Sequence, residues 1–517
     1  MLKFFNRRFF ILFIFPFFLG SITVLGFNPF NLLFVNAFSM SMLFYLIFYV
    51  KKKTQSSYRK KPFLKNLFFL GTSYGFGFFL FGLYWIAYSL TFDPFFKFLI
   101  PFALILIPLF LSLFFSLPII LIGRFVEFKI SSIILISILF SISDFLRSFI
   151  LTGFPWNLWA YSLSWSQESL QILNLVGFFS LNLILITILF LPVTFFFKNK
   201  FKYIFITFFV ILLFSNYFFG SYKINSAKED NDNRINFKIV SSGLKLSEFK
   251  DQVLVLNNLI KISEPNKKQK TIFVWPEGVF LNENLKKNNQ LKKKIKENFS
   301  RNHLIIFGAN TEKTQNSKKY YFNSLLIIDN DMNIISQYNK QKLVPFGEFL
   351  PFENLLKKIG FKKITEGYNS FSRGKNDSII TINFNNKIIN IMSLICYEII
   401  FPKFSENKQK NLNFIVNISE DAWFGSSIGP QQHFVKAIYR AIENGSYTLR
   451  SANMGISAFI SPTGKILKIL SSTEAGNIEM DLPVIKSKNN NTNKGLIFTL
   501  LLIIYAITFL LLKKFKL

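Results

Sequence analysis

Seven apolar runs occupy the first 220 residues of this chain, at 8–25, 30–50, 66–91, 95–122, 130–150, 169–197 and 203–220. Each is long enough to cross a bilayer, which takes roughly 20 helical residues. A long polar segment follows, and an eighth run closes the sequence at 495–512. In lipid, every backbone polar group must be satisfied within its own segment, so runs of this length commit the chain to spanning helices. Lys3, Arg7 and Arg8 precede the first run, but no small-residue cleavage site follows it, so it reads as a retained helix rather than a signal peptide. The fold class expected is an α-helical transmembrane bundle of eight helices plus an external α/β domain. The expected divisions are 1–222 for the seven-helix region, 223–490 for the external domain, and 491–517 for a linker and the eighth helix.

The formal net charge of +32 raises the question of nucleic acid. No RNA- or DNA-binding motif accompanies the basic residues, so no nucleic-acid partner is expected. The basic residues cluster instead beside the apolar runs. Lys51, Lys52, Lys53, Arg59, Lys60, Lys61 and Lys65 lie between runs two and three, Arg124 and Lys129 between four and five, and Lys198, Lys200 and Lys202 between six and seven. Lys513, Lys514 and Lys516 follow the last run, whereas the linkers 26–29 and 151–168 have neither Lys nor Arg. By the positive-inside rule both termini are cytoplasmic, and seven crossings put residues 223–490 on the outer face.

Three features within the bundle region carry local expectations. Asp144 and Arg147 share a helix face and are expected to form a structural ion pair. Gly71 and Gly75 make a small-residue spacing suited to helix packing. Trp156, Trp159 and Tyr161 in the linker 153–161 are expected to anchor at the membrane interface.

The polar segment is of another kind. Strand-like runs at 237–241, 271–275, 304–308, 321–328, 388–395 and 413–418 alternate with helix-like stretches at 251–262, 284–298 and 431–444. That alternation suits one α/β domain of about 260 residues, enough to bury its own core. Three chemical groups follow strand-like runs: the carboxyl of Glu277, the amine of Lys340, and the thiol of Cys396, the only cysteine in the chain. In α/β sheets, sites collect at strand ends. A thiol needs a base or a nearby cation to act as a nucleophile, and a Glu and a Lys supply one of each. With two histidines, His303 and His433, and one cysteine, a Cys/His zinc site is not expected. A Cys-His pair requires one of those histidines to fold next to Cys396.

Val274-Trp-Pro-Glu277, Lys340-x-x-Leu-Val-Pro-Phe-Gly-Glu348 and Cys396-Tyr-Glu398 together resemble the nitrilase superfamily. Asp421-Ala-Trp-Phe-Gly425, Gly429-Pro430, His433, Arg450, Asn453-x-Gly455 and the linker Gly153-Phe-Pro-Trp156 extend the resemblance to its membrane-bound branch, the apolipoprotein N-acyltransferases. The resemblance covers nearly the whole chain. It implies an αββα sandwich for the outer domain and a site in a bacterial inner membrane. It implies transfer of an acyl chain from a phospholipid, through a cysteine thioester, to the N-terminal amine of a diacylglyceryl-modified lipoprotein. Carried over by position, Cys396 is the nucleophile, Glu277 the base and Lys340 the oxyanion stabiliser, with the backbone N–H after Cys396 completing the oxyanion hole. Glu348, Tyr397 and Glu398 support them, Trp423 contacts substrate, and no cofactor is implied. A membrane-tethered amidase with water as acceptor is the rival chemistry.

Two departures from the family pattern stand out. Phe249 lies where a Trp is usual, and Glu420 where an Asn is usual. Neither is expected to touch the triad. The Phe- and Leu-rich stretch 343–363, with Lys357, Lys358, Lys362 and Lys363, reads as core or as an arm lying on the membrane, with Phe361 meeting lipid.

Overall fold

The computed structural model describes residues 7–54, 60–226, 233–280, 289–351, 353, 370–404, 411–472, 474–485 and 493–517. The chain divides into two compact units, Met1–Asn225 with Thr492–Leu517, and Ser226–Asn491.

In the first unit, eight helices among the described residues are long and apolar enough to cross a membrane. Seven come in succession: α1 (Arg7–Gly26), α2 (Leu33–Thr54), α3 (Phe63–Thr91), α4 (Pro94–Gly123), α5 (Ile130–Arg147), α6 (Phe178–Phe196) and α7 (Phe201–Asn225). The eighth is the C-terminal helix Lys494–Lys514. The sixth starts later than the apolar run that encodes it. Gly177, at φ +77°, ends a one-turn helix at Leu173–Val176, and α6 begins at Phe178.

Small residues set the closest helix contact along the α3–α4 seam. A Cβ on Gly71 would lie 2.7 Å from Ser116 Cα, and one on Gly75 would lie 2.8 Å from Ser112 Cα. Bare backbone is therefore what lets α3 and α4 meet. Asp144 and Arg147 form the expected pair, at 3.0 Å. Arg147 also donates to the carbonyls of Phe154 (3.1 Å) and Trp156 (2.7 Å), while Asn182 donates to Asp144 (2.9 Å). These bonds draw the 153–161 linker inward. Trp156 and Trp159 are each only 1 % exposed and Tyr161 2 %, so they pack inside the bundle, and the reading of them as interface anchors is corrected. Their neighbours are rings: Trp85 for Trp156, and Phe27 and Phe78 for Trp159.

The second unit is a two-sheet sandwich. One sheet has the order β12-β1-β2-β3-β4-β5 and the other β11-β10-β9-β8-β7-β6. The first uses β1 (Arg234–Ser241), β2 (Thr271–Val274), β3 (His303–Gln315), β4 (Lys318–Ile328), β5 (Ile334–Asn339) and β12 (Gly476–Pro483). The second uses β6 (Ile379–Phe384), β7 (Lys387–Ile395), β8 (Phe414–Glu420), β9 (Tyr447–Asn453), β10 (Ser457–Ile460) and β11 (Ile466–Leu470). In each sheet three central strands run parallel, β1-β2-β3 and β7-β8-β9, and antiparallel strands flank them.

Period-2 burial explains the layers. Phe237, Ile239, Ile272, Val274, Ile306 and Leu325 from one sheet meet Ile391, Ile395, Phe414, Val416, Ile418 and Leu449 from the other in a single core. The alternate residues of the first sheet, among them Phe273, Trp275, Ile305 and Phe307, pack under helices α8 (Gln252–Ser263) and α9 (Asn289–Asn298). Phe249, at the family's Trp position, is part of that core. Helix α10 (Gly429–Asn444) lies against β9 and is almost wholly buried. Helices outside, sheets inside: this is the αββα arrangement.

Candidate active site

Cys396 stands where β7 ends and a 3₁₀ turn (Cys396–Ile400) begins. Its φ is +45°, a left-handed value costing a side-chain-bearing residue about 1–3 kcal/mol, and one that persists only where neighbours enforce it. Glu398 is one enforcer. Its carboxyl accepts from the N–H of Ile395 (2.9 Å), just before the cysteine, and from those of Gln341 (2.7 Å) and Lys342 (3.1 Å). The Tyr338 hydroxyl donates to it as well (2.8 Å). One buried side chain thus ties the thiol-bearing turn to the loop that starts at Lys340. Burial drives the Glu398 carboxyl up to about 7 against these donors. Tyr397 is buried too, its ring edge-on to Phe401 at 5.0 Å.

Glu277 follows β2 by three residues. Gly308 lets it come close to β3, since a Cβ there would sit 2.6 Å from Glu277 Cα. Lys340 follows β5 directly. Its Nζ lies 3.2 Å from Glu277 Oε1 and 3.0 Å from Glu348 Oε1, all three side chains being buried. Burial pulls the Lys340 amine down, but the two carboxylates outweigh it and hold it above the ordinary lysine range. Glu348 is itself fixed by the N–H of Val344 (2.8 Å).

Two contacts here were not foreseen. Asn323, on β4, donates through Nδ2 to both Glu277 Oε1 and Glu348 Oε1, each at 2.7 Å, so a neutral amide shares the clamp with Lys340. The expectation that position 420 stays clear of the triad is corrected: the Glu420 N–H donates to Glu277 Oε2 at 3.0 Å. The Glu420 side chain turns away to Asn453 Nδ2 (2.9 Å), and burial pushes its carboxyl well above the usual range.

The Cys396 thiol lies within electrostatic reach of Glu277, Lys340 and Asp421. Burial first, then Glu277, push it up, and Lys340 works the other way. The arrangement therefore sets a thiol whose burial disfavours the anion within electrostatic reach of a carboxylate and of an amine held above the ordinary lysine range. That set can run acyl transfer without histidine. His433 does fold next to Cys396, and its contact is to the main chain, Nε2 lying 3.3 Å from the Cys396 carbonyl oxygen. Trp423 sits half-buried in the turn Asp421–Phe424 that follows β8. Phe361 and most of the 343–363 stretch lie outside the described residues. Among the described residues no group of three or more His, Cys, Asp and Glu side chains could hold a metal ion.

Two facing six-stranded sheets under helices define a domain of the nitrilase, or carbon–nitrogen hydrolase, type, carried here on a multi-pass membrane protein. Residues 258–489 match the carbon-nitrogen hydrolase family model, and residues 19–191 match the apolipoprotein N-acyltransferase N-terminal domain. The apolipoprotein N-acyltransferase of Rickettsia prowazekii is 32% identical over 421 residues, covering 80% of this chain and 82% of that protein. The chain belongs to the apolipoprotein N-acyltransferase family and is an N-acyltransferase. The Allorhizobium ampelinum relative is 28% identical over 490 residues, covering 92% of this chain and 91% of its own. Among solved structures, an amidase from Nesterenkonia sp. aligns over 52% of this chain and 98% of its own, at 13% identity and a TM-score of 0.35.

Proposed function

We propose that this enzyme takes an acyl chain from a membrane phospholipid, holds it as a thioester on Cys396, and passes it to the N-terminal amine of a diacylglyceryl-modified lipoprotein. The observation that carries the reading is the Lys340 amine clamped between Glu277 and Glu348 beside the only thiol of the chain. Glu277 takes the thiol proton as sulfur attacks the ester carbonyl. Lys340 and the Tyr397 N–H stabilise the oxyanion. Collapse breaks the ester C–O bond, and Glu277 returns the proton to the departing glycerol oxygen, releasing a lysophospholipid. The lipoprotein amine then attacks the thioester and gives its proton to Glu277, which restores the thiol as the C–S bond breaks. Trp423, in the turn after β8 that also carries Asp421, is assigned to substrate contact, and Phe361 to the lipid.

The eight spans support a lipid donor and a lipid-anchored acceptor. A site in water would have to extract each acyl chain at about 0.8 kcal/mol per CH₂. The basic linkers support cytoplasmic termini and a catalytic domain on the outer face of a bacterial inner membrane. Mass spectrometry of the enzyme incubated with labelled phospholipid tests the thioester. An acyl adduct on Cys396, discharged by a diacylglyceryl lipopeptide, is expected; Cys396→Ala carries none and does not turn over. Discharge to water alone, with no acylated lipopeptide, would replace this reading with the amidase one.

A further inference from the structure

Behind the thiol turn lies a second buried polar cluster that the acyl-transfer steps above do not use. His433, on α10, Asp421, after β8, and Arg450, on β9, are all fully buried. Arg450 Nη2 donates to Asp421 Oδ2 at 2.7 Å, its Nη1 to Asn417 Oδ1, and its Nε to the Ile456 carbonyl at 3.2 Å. Asp421 Oδ1 accepts from Ser419 Oγ at 2.6 Å. Burial raises the Asp421 carboxyl, but Arg450 and then His433 outweigh it and keep it ionised. Gly455 is what leaves room for this carboxylate, since any Cβ there would overlap it.

Asp421 and Arg450 both reach the His433 ring. Nδ1 lies 3.0 Å from Asp421 Oδ1 and 3.1 Å from Arg450 Nη2; Nε2 lies 3.3 Å from the Cys396 carbonyl oxygen. A carbonyl oxygen can only accept, so the hydrogen bond to Cys396 requires the proton on Nε2. In the neutral ring, which burial favours, Nδ1 is then an acceptor served by Arg450. In the protonated ring, Nδ1–H donates to Asp421. A neutral ring protonated on Nδ1 would instead donate to Asp421 and make no bond to Cys396; the Arg450 Nη2 donor 3.1 Å from Nδ1 favours the form with its proton on Nε2, toward Cys396. Arg450, and after it Lys436, oppose the protonated form.

The carbonyl that His433 grips belongs to the same planar unit as the Tyr397 N–H, pointing the opposite way. We infer that His433 is a positioning residue for the oxyanion hole: by holding the Cys396 carbonyl it aims the Tyr397 N–H at the oxygen of the tetrahedral intermediate. Asp421 and Arg450 fix the ring, the ring fixes the peptide plane, and the plane fixes the donor. Donation into the carbonyl also polarises the N–H on the other side of the same amide. The inference rests on the acyl-transfer reading and adds to it the source of the donor's direction.

The test separates oxyanion chemistry from thiol chemistry. Alkylation of Cys396 by iodoacetamide passes through no oxyanion, whereas acylation from phospholipid does. His433→Leu is expected to slow single-turnover acylation by about 10- to 100-fold, less than or equal to the loss of an oxyanion donor outright, while alkylation stays within about threefold. His433→Gln, whose amide reaches about as far as Nε2, is expected to restore acylation to within about fivefold of wild type, and His433→Asn, whose amide falls short, is not. Acylation and alkylation falling together, or Gln and Leu behaving alike, would overturn the inference. If the Leu variant fails to fold, the Gln and Asn pair decides. Loss of the triad reading shows separately, as acylation that survives Cys396→Ala.

Discussion

At the scale of single residues, the proposed roles of Glu277 and Lys340 can be separated by substitution. Glu277→Gln cannot accept the thiol proton, and Lys340→Met keeps length but loses the cation. Each is expected to slow single-turnover acylation by at least ~100-fold, measured by quenched mass spectrometry; a near-normal rate in either variant would remove that residue from the mechanism. Glu398 gives a pH signature of a different origin. Its folded-state pKa, about 7, lies above the ordinary 4.5, so the native state holds that proton longer than the unfolded chain does. Its contribution to stability is fully present below pH 4.5 and is lost as pH rises through about 7. In Glu398→Gln, the slope of Tm against pH across that window is expected to flatten, and an unchanged slope would assign the titration elsewhere. Glu277 and Cys396 were legible because each closes an apolar run, a pattern visible in one dimension, whereas Lys340 follows the mixed stretch Ile334–Asn339 and was singled out through the nitrilase resemblance. Asn323 was not legible. It is an ordinary strand residue until the pairing of β3, β4 and β5 turns its amide toward two carboxylates. His433 and Asp421 were legible only as residue types, because the contact that gives them meaning is to a backbone atom.

At the scale of elements, length and polarity were readable and burial was not. The eight spanning helices follow from hydropathy, and the strands β1–β4, β7 and β8 from apolar runs. The edge strands β6, β11 and β12 have no such run. Each carries residues that face water, as in the exposed Ile466 and Ile469 of β11, so their pairing depends on neighbours rather than on their own pattern. The aromatic linker shows the same limit. Trp and Tyr next to a span fit an interface belt equally well from sequence alone. What pulls them inside is Arg147, which lies in α5 and binds two linker carbonyls. Truncating one partner of a buried ion pair costs about 3–5 kcal/mol. Arg147→Met, which also strands the Phe154 and Trp156 carbonyls, is therefore expected to lower the thermal stability of the detergent-solubilised enzyme more than Asp144→Asn. Equal losses would mean the carbonyl bonds contribute nothing.

At the scale of the whole molecule, the arithmetic of spans decides where the chemistry happens. On the proposed topology, the seven spanning helices described before the nitrilase-type domain and the one described after it put the two termini on one side and the domain on the other. A reporter fused after residue 230 is expected to be active only outside the cytoplasm, and one fused near residue 56 only inside; a cytoplasmic signal from the first would reverse the orientation. A domain on the proposed outer side would meet oxidants that the cytoplasm removes. The reactive form toward peroxide is the thiolate, not the thiol. Burial and Glu277 push the Cys396 thiol up, and in the proposed mechanism it gives up its proton as it attacks. On that reading, the pairing that costs the enzyme a ready-made nucleophile would also make it slow to form a sulfenic acid, a form of chemical endurance suited to a chain with no second sulfur of its kind to rescue the first.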